Sequence, residues 1–171
     1  MAFLRRHWGI MISIYMDDMI LQAPSPETAY LHAQITILVF MSLGWEVNWE
    51  KSSLIPSHKL THLGFDIDTS KMTASCPKAK VDRFQSLSRS ALSDGQISVH
   101  NCEKIIGLME SVRPVTPLAA LHYRSLQKQL LIAKRGKRIP SLIITLSQKS
   151  LSNLQWWASP SGFQSHCTAS L

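Results

Sequence analysis

The chain has 171 residues, 45% of them hydrophobic, and a formal net charge of +7, which describes a globular protein of one ordinary domain or two small ones. Its longest apolar stretches, residues 35–43 and 142–146, are far shorter than the roughly 20 residues of a membrane span, so we expect no membrane partner. The cysteines are widely spaced without a Cys-x-x-Cys pattern, and the N-terminus lacks the features of a secretory signal. Both observations favour an intracellular protein and leave nucleus and cytoplasm open.

The charge is unevenly distributed along the chain. Residues 1–70 hold four basic and seven acidic side chains, a net of −3, whereas residues 71–138 hold thirteen basic and four acidic ones, a net of +9. An acidic segment therefore precedes a basic one. This order suits a metal-binding catalytic part followed by a part that holds a polyanion, because Lys and Arg that neutralise phosphates release counterions.

The first predicted element is a hairpin that carries two adjacent carboxylates. Apolar residues 11–14 and 19–21 flank Tyr15-Met16-Asp17-Asp18, which places the acidic pair at the tip of a two-stranded hairpin. Adjacent carboxylates repel each other unless a cation neutralises them, so the pair predicts a site for a hard divalent metal, with Mg²⁺ as the natural candidate. The alternative is a plain polar turn, since Asp is common in turns.

A helix, a strand and a second hairpin are predicted to follow. The helix covers about residues 26–43, with Ser25 as its N-cap. Apolar and polar residues alternate over residues 45–49, which predicts a half-buried strand that ends at Pro56. Residues 60–68 and 72–76 then read as the two arms of another hairpin.

From Pro77 the pattern becomes helical and basic, and we place a domain boundary there. Apolar spacing and capping residues predict a helix that breaks at residues 93–95, a second capped by Ser98, a third that Pro114 and Pro117 introduce and that runs to about Lys134, and a last from Ser147 to Trp157. The sequence therefore predicts an α+β protein. Ser159-Pro160-Ser161-Gly162 reads as a linker.

The basic run Lys134-Arg135-Gly136-Lys137-Arg138 has three possible roles: a nuclear import signal, a nucleic-acid contact or a solvated loop. We rank phosphate contact first, because Arg124, Lys128 and Arg135 could share one side of a helix. Trp156-Trp157 could stack on bases. Adjacent aromatic residues in an amphipathic helix belong more often to a core, and we favour that reading.

The Tyr-x-Asp-Asp hairpin resembles that of the reverse transcriptase palm domain. The order of hairpin, helix, Gly-Trp-Glu-Val-Asn-Trp-Glu-Lys-Ser segment, Leu-Gly-Phe hairpin and basic helices is similar to the second half of such a palm followed by its thumb. Four segments look like those of DIRS-type retrotransposons, which integrate with a tyrosine recombinase: Leu43-Gly44-Trp45 to Lys51-Ser52, His62-Leu63-Gly64-Phe65, Leu121 to Gln127, and Leu154 to Trp157.

The resemblance covers about residues 1–158 and implies a division of the chain. Residues 1–76 would be the C-terminal part of the palm, residues 77–158 a helical thumb or connection, and residues 159–171 a linker toward a ribonuclease H-like domain. The implied activity is RNA-directed DNA polymerisation, in which Mg²⁺ supports nucleotidyl transfer from a dNTP to a primer 3′-hydroxyl. The implied partners are an RNA or DNA template–primer duplex, dNTP, and the ribonuclease H and recombinase domains of a polyprotein.

The resemblance also implies roles for individual residues in the palm. Asp17 would be a catalytic Mg²⁺ ligand and Asp18 its neighbour at the metal site. Tyr15 would position the hairpin near the primer terminus, with Met16 beside the incoming nucleotide. Lys51 falls where a cation could neutralise or protonate the pyrophosphate leaving group, although a solvated Lys after a strand fits equally well.

The remaining implied residues would hold nucleic acid. Leu63, Gly64 and Phe65 match the hairpin that grips the primer, where Gly64 allows close backbone approach; without the family, this segment would be merely a core strand. The proposed nucleic-acid contacts in the basic segment are Arg124, Lys128, Lys134, Arg135, Lys137 and Arg138.

The chain departs from the family at its start. A polymerase of this type needs a further metal-binding Asp on an earlier palm strand and basic fingers for the triphosphate, and the residues before the hairpin supply neither. We therefore expect a polyprotein fragment with an incomplete two-metal site, inactive by itself. The alternative is a non-catalytic nucleic-acid-binding remnant of a retroelement.

Overall fold

The computed structural model describes residues 2–135, 142–160, 162–163 and the backbone of the strand at 166–168. It shows an α+β protein, as the sequence predicts, with two compact units, residues 1–63 and 64–171. The assignment of residues 1–76 and 77–158 to a palm and a thumb stays a prediction. In chain order the elements are α1 (Ala2–Trp8), β1 (Met11–Tyr15), β2 (Asp18–Gln22), α2 (Pro26–Ser42), β3 (Lys59–His62), β4 (Phe65–Asp68), β5 (Thr73–Ser75), α3 (Lys78–Asp94), β6 (Gln96–Ser98), α4 (Val99–Val112), α5 (Arg124–Lys134), β7 (Ile143–Thr145), α6 (Gln148–Ala158) and β8 (His166–Thr168).

The first unit is built on the β1–β2 hairpin and helix α2. The strands pair antiparallel, and Ile12 of β1 is buried with Leu4 and Ile10 in a small core. Helix α1, which the sequence analysis did not predict, supplies Leu4 to this core. Arg5 fixes the start of the hairpin by donating a hydrogen bond from its guanidinium to the carbonyl oxygen of Ile12 at 2.6 Å.

The predicted helix at residues 26–43 is confirmed as α2. The Ser25 side chain accepts a hydrogen bond from the backbone N–H of Thr28 at 3.2 Å, which satisfies one of the free donors at the helix start. Ile35, Val39 and Phe40 pack against the small core. The helix thus covers the hairpin with part of its apolar surface.

The predicted strand at residues 45–49 is wrong. Trp45 packs edge-on against Phe40, with ring centroids 5.9 Å apart. The carbonyl oxygen and side-chain oxygen of Asn48 both accept from the N–H of Lys51, at 3.3 and 3.2 Å, and close a turn. A strand needs a neighbour for its backbone groups, and no described strand pairs with this segment, so local bonds to Asn48 satisfy the backbone instead.

The second unit contains the predicted second hairpin. β4 and β5 pair antiparallel, with Asp66 opposite Ser75, and β8 pairs with the other edge of β5. Gly64, at the start of this unit, has φ +76°, and the predicted arm at residues 60–68 is interrupted there: β4 begins at Phe65, whereas β3 belongs to the first unit. The sequence pattern missed this break because the residues on both sides are apolar.

Helices α3 to α6 surround the main core of the second unit. The predicted break is confirmed at Gly95, which has φ +68°, and Ser98 caps α4 by accepting from the N–H of Asn101 at 3.2 Å. β6 and β7 pair between the helices, a contact that the sequence analysis missed. Helix α5 begins only at Arg124, because two short 3-10 turns precede it. The core contains, among others, Phe84, Cys102, Ile105, Met109, Leu126 and Leu154.

The predicted core position of the tryptophan pair is confirmed for Trp157. Its side chain is fully buried, and its indole N–H donates to the carbonyl oxygen of His122 at 3.1 Å. Trp156 is partly buried and stacks on the His122 ring, with centroids 3.9 Å apart. Among the described helices, none combines the length and the apolar character that crossing a bilayer requires.

Candidate functional site

The acidic pair lies at the tip of a two-residue hairpin turn. Tyr15 is paired with Asp18 across β1 and β2, so Met16 and Asp17 form the turn itself. This geometry confirms the predicted hairpin and the place of the carboxylates in it. Met16 has φ +53°, a conformation that costs a non-glycine residue roughly 1–3 kcal/mol and that clusters at functional sites.

The hairpin tip is open to solvent. Asp17 and Asp18 are both exposed, and in the described part of the chain neither carboxylate forms a hydrogen bond or an ion pair. Tyr15 and Met16 are 57% and 80% exposed, so two large side chains stand beside the carboxylates without being needed for the core. Oxygen ligands with free lone pairs next to exposed side chains are available to a cation and to a bound molecule.

The donor chemistry of the tip fits Mg²⁺. This ion takes oxygen ligands, commonly one or two carboxylates, and leaves its other positions to water and substrate phosphates. Asp17 and Asp18 supply two carboxylates at adjacent positions. Within the described residues there is no group of three or more His, Cys, Asp or Glu side chains that could hold a metal.

Lys51 lies in the turn that Asn48 closes, and its side chain is exposed. Its backbone N–H is held by Asn48, whereas no described hydrogen bond or ion pair joins its ammonium group to the hairpin. The structure therefore places Lys51 in the same unit as the acidic pair, and its approach to a triphosphate stays a prediction.

The Leu63-Gly64-Phe65 segment carries a feature that the sequence analysis missed, the side chain of Lys80. A Cβ atom built on Gly64 would lie 2.8 Å from the Lys80 Nζ atom, and that nitrogen also lies 5.3 Å from the centroid of the Phe65 ring. Gly64 thus leaves room for an ammonium group at the turn. The sequence carries no signal for this, because Lys80 belongs to the first turn of α3 and reaches the site only through packing.

The six basic residues predicted to contact nucleic acid differ in their surroundings. Arg124 and Lys128, one helical turn apart on α5, are exposed and line the same groove. Lys134 forms an ion pair with Glu103. Arg135 has left the helix, with ψ 100°, so it does not continue the side that Arg124 and Lys128 share. Lys137 and Arg138 lie outside the described residues.

The Cys102 thiol is not a candidate for chemistry at this site. Cys102 is fully buried in the core of the second unit, and burial raises the pKa of its thiol to about 12, with Glu103 adding to the shift. A thiol with so high a pKa is protonated at neutral pH and is a poor nucleophile and metal ligand. Cys102 is therefore a packing residue, which agrees with its place among the helices.

No protein-family model matches this sequence, and the search of curated proteins finds no match. The hairpin, the Gly64 turn and the basic helices are consequently the features of the chain that indicate a function.

Proposed function

We propose that this chain is part of the palm and thumb of a retroelement RNA-directed DNA polymerase, most similar to those of DIRS-type elements. The observation that carries the proposal is the hairpin tip, where the strained residue Met16 shares a two-residue turn with Asp17 and the exposed carboxylate of Asp18 follows at the first position of β2. An ordinary turn of this length favours Asn-Gly or Asp-Gly. A bulky residue with positive φ beside paired carboxylates is therefore better explained by a site than by the need to reverse the chain.

The proposed reaction joins the primer 3′-oxygen to the α-phosphorus of a dNTP and releases pyrophosphate. Bound Mg²⁺ would neutralise the developing charge on the phosphate oxygens. Asp17 and Asp18 would hold the ion, while Tyr15 and Met16 would contact the primer end and the incoming nucleotide. Lys51 would lie near the triphosphate.

The Gly64 turn supports a role in holding the primer. Its positive φ and missing Cβ leave room for the Lys80 ammonium group, which lies directly against the turn and can meet a phosphate there. We propose that Leu63, Gly64 and Phe65 contact the primer and that Lys80 adds a phosphate contact at this turn. Phosphate contacts of this kind fix position without reading sequence.

A second candidate function is nucleic-acid binding without catalysis. The observation that favours it is the charge of the last part of the chain, since residues 111–171 contain eight Lys and Arg and no Asp or Glu. Such a segment attracts phosphates whether or not the hairpin acts on a nucleotide.

Photo-crosslinking of a primed RNA template separates the two functions. The primer carries 4-thiothymidine at its 3′ end, the full chain is irradiated with this duplex and Mg²⁺, and the labelled peptides are identified by mass spectrometry. We expect labelling at Tyr15 to Asp18 or at Leu63 to Phe65. The matched control is the same duplex with the photoreactive base at the primer 5′ end, which should label neither segment.

The outcomes are distinct. Labelling that is confined to the basic helices, and is equal for the 3′ and 5′ probes, would contradict the polymerase proposal and support binding without catalysis. Loss of the 3′ label on adding EDTA, or in Asp17→Asn, would tie the primer end to the metal. Binding of the duplex itself should survive Asp17→Asn, because that residue is remote from the basic helices in the chain.

A further inference from the structure

A groove on the second unit combines residues of α5 with the start of α6. It encloses about 460 Å³ and is lined by Leu121, Arg124, Ser125, Lys128, Gln129, Ile132, Ser147 and Lys149. Arg124, Lys128 and Lys149 bring three cationic groups to one concave surface. The sequence analysis assigned no role to Lys149, because it lies 21 residues after Lys128 with a basic loop and a strand between them.

The wall of the groove is fixed by hydrogen bonds between its own polar groups. The Gln129 side chain donates to the carbonyl oxygen of Thr145 at 3.3 Å and accepts from the N–H of Ser147, also at 3.3 Å. Asn153 donates to the Ser125 hydroxyl at 2.7 Å. These bonds tie α5 to the end of β7 and to α6, so neutral polar groups hold the groove in place and not the cations themselves.

The cations have no acidic neighbours in this part of the protein. No Asp or Glu lines the groove, and none occurs anywhere in residues 111–171. Arg124 donates to the neutral side-chain oxygen of Gln127 at 3.4 Å and lies over the face of the Tyr123 ring, and among the described residues neither it nor Lys128 or Lys149 forms an ion pair. The positive potential of the groove is therefore not cancelled locally, which makes it complementary to a polyanion.

The apolar residues of the groove favour a single strand over a duplex or a compact anion. A volume of about 460 Å³ lies within the roughly 300–1,000 Å³ of pockets that take small ligands and accommodates a short stretch of chain. Leu121 and Ile132 are 66% and 56% exposed at its rim and offer apolar surface to sugars or bases. Single-strand sites combine a basic groove with side chains that contact the exposed bases; these side chains are typically aromatic, and in this groove Leu121 and Ile132 supply aliphatic surface instead.

We infer that this groove binds the phosphodiester backbone of a single nucleic-acid strand, with Lys149 as a phosphate contact beside Arg124 and Lys128. The inference rests on the proposed function only in taking nucleic acid as the class of partner. It adds a defined place on the molecule and a residue that the basic run does not include. An acidic polypeptide is the competing occupant, and polyglutamate represents it in the test.

The test measures how the affinity of the full chain for a fluorescent 12-nucleotide oligo-dT changes with salt. Each phosphate contact to a single strand contributes a slope of about −0.7 in log K against log salt, so Lys128→Ala/Lys149→Ala should reduce the slope by up to about 1.4. Both side chains are exposed, so the core should tolerate their removal. Lys128→Arg/Lys149→Arg should keep the slope.

The matched control is Lys71→Ala/Lys78→Ala, which removes two exposed lysines of the second unit that do not line the groove. This double variant has the same change in net charge. Its slope should lie within about 0.3 of that of the unaltered chain, since only counterions released at a phosphate contact contribute. Equal losses in the two double variants would overturn the inference and leave general electrostatic binding in place.

Two further results bear on the inference. Polyglutamate that competes as well as oligo-dT at equal charge concentration would overturn it in favour of an acidic polypeptide. A chain that does not bind oligo-dT at all would also overturn it, while the polymerase proposal is decided separately by the 3′ photo-crosslink.

Discussion

Replacing Gly64 with alanine tests whether the turn has the conformation and the close contact that the structure gives it. Gly64 has φ +76°, and an L-residue in this left-handed region has a conformational cost of about 1–2 kcal/mol. The new Cβ would also lie 2.8 Å from the Lys80 Nζ atom and displace this ammonium group from the Phe65 ring. Loss of that cation–π contact adds about 0.5–1 kcal/mol, so the free energy of unfolding should fall by ~1.5–3 kcal/mol in total.

Urea denaturation followed by circular dichroism measures this change, and two comparisons separate its causes. Gly64→Asn should cost less than Gly64→Ala, because Asn tolerates positive φ better while carrying the same Cβ. In a Lys80→Met background, Gly64→Ala should lower the free energy of unfolding only by the backbone contribution. The difference between the two backgrounds therefore measures the contact with Lys80.

The matched control is Gly107→Ala. Gly107 lies inside α4 with nothing within 4 Å of an added Cβ, and alanine in a helix interior is more stable than glycine by about 0.5–1 kcal/mol. The two glycine replacements should therefore have opposite signs. A Gly64→Ala protein as stable as the unaltered chain would refute the argument from the turn.

Three other predictions concern primer extension, duplex binding and the Cys102 thiol. The isolated chain should not extend a primer on an RNA template with dNTPs and Mg²⁺. Two-metal transfer clamps both the attacking and the leaving oxygen, and the two carboxylates of the hairpin lack the further metal-binding Asp that such a site needs. Robust extension that Asp17→Asn abolishes would contradict this prediction. Duplex affinity should fall steeply with salt, and its log–log slope should drop by up to about 0.9 per lost contact when four residues of the basic run become Ala, namely Lys134, Arg135, Lys137 and Arg138. Because the folded pKa of Cys102 is raised from 9.0 to about 12, its contribution to stability is complete below pH 9.0 and lost as the pH rises toward 12. Urea denaturation across this range should show a steeper decline in the unaltered chain than in Cys102→Ala.

The local elements could be predicted because short-range interactions decide them. Ser25 and Ser98 cap their helices with their own hydroxyl groups, and the apolar residues around Tyr15 to Asp18 form a hairpin whose turn has two residues. The acidic pair at the tip follows from the same local pattern. None of these features needs a contact with a distant part of the chain.

In contrast, an apolar pattern does not show by itself which residues pack against the core or pair with another strand. Leu31, Ile35 and Leu38 belong to one apolar helix, yet Ile35 packs against the core while Leu31 and Leu38 are 54% and 67% exposed. The alternation at residues 45–49 has the period of a strand, but no described strand pairs with it, and Asn48 closes a turn there instead. A strand pattern becomes a strand only where a second backbone completes its hydrogen bonds.

The sequence by itself determined the hairpin and its carboxylates, the capped helices and the basic character of the later part of the chain. Only the tertiary structure brought Lys80 to the Gly64 turn and Lys149 to the groove of Arg124 and Lys128. The reason is that these positions depend on how α3, α5 and α6 pack, and such packing joins residues with no periodic or local relation in the sequence. Charge can be counted along a chain, but a binding surface forms only where folding places the charges side by side.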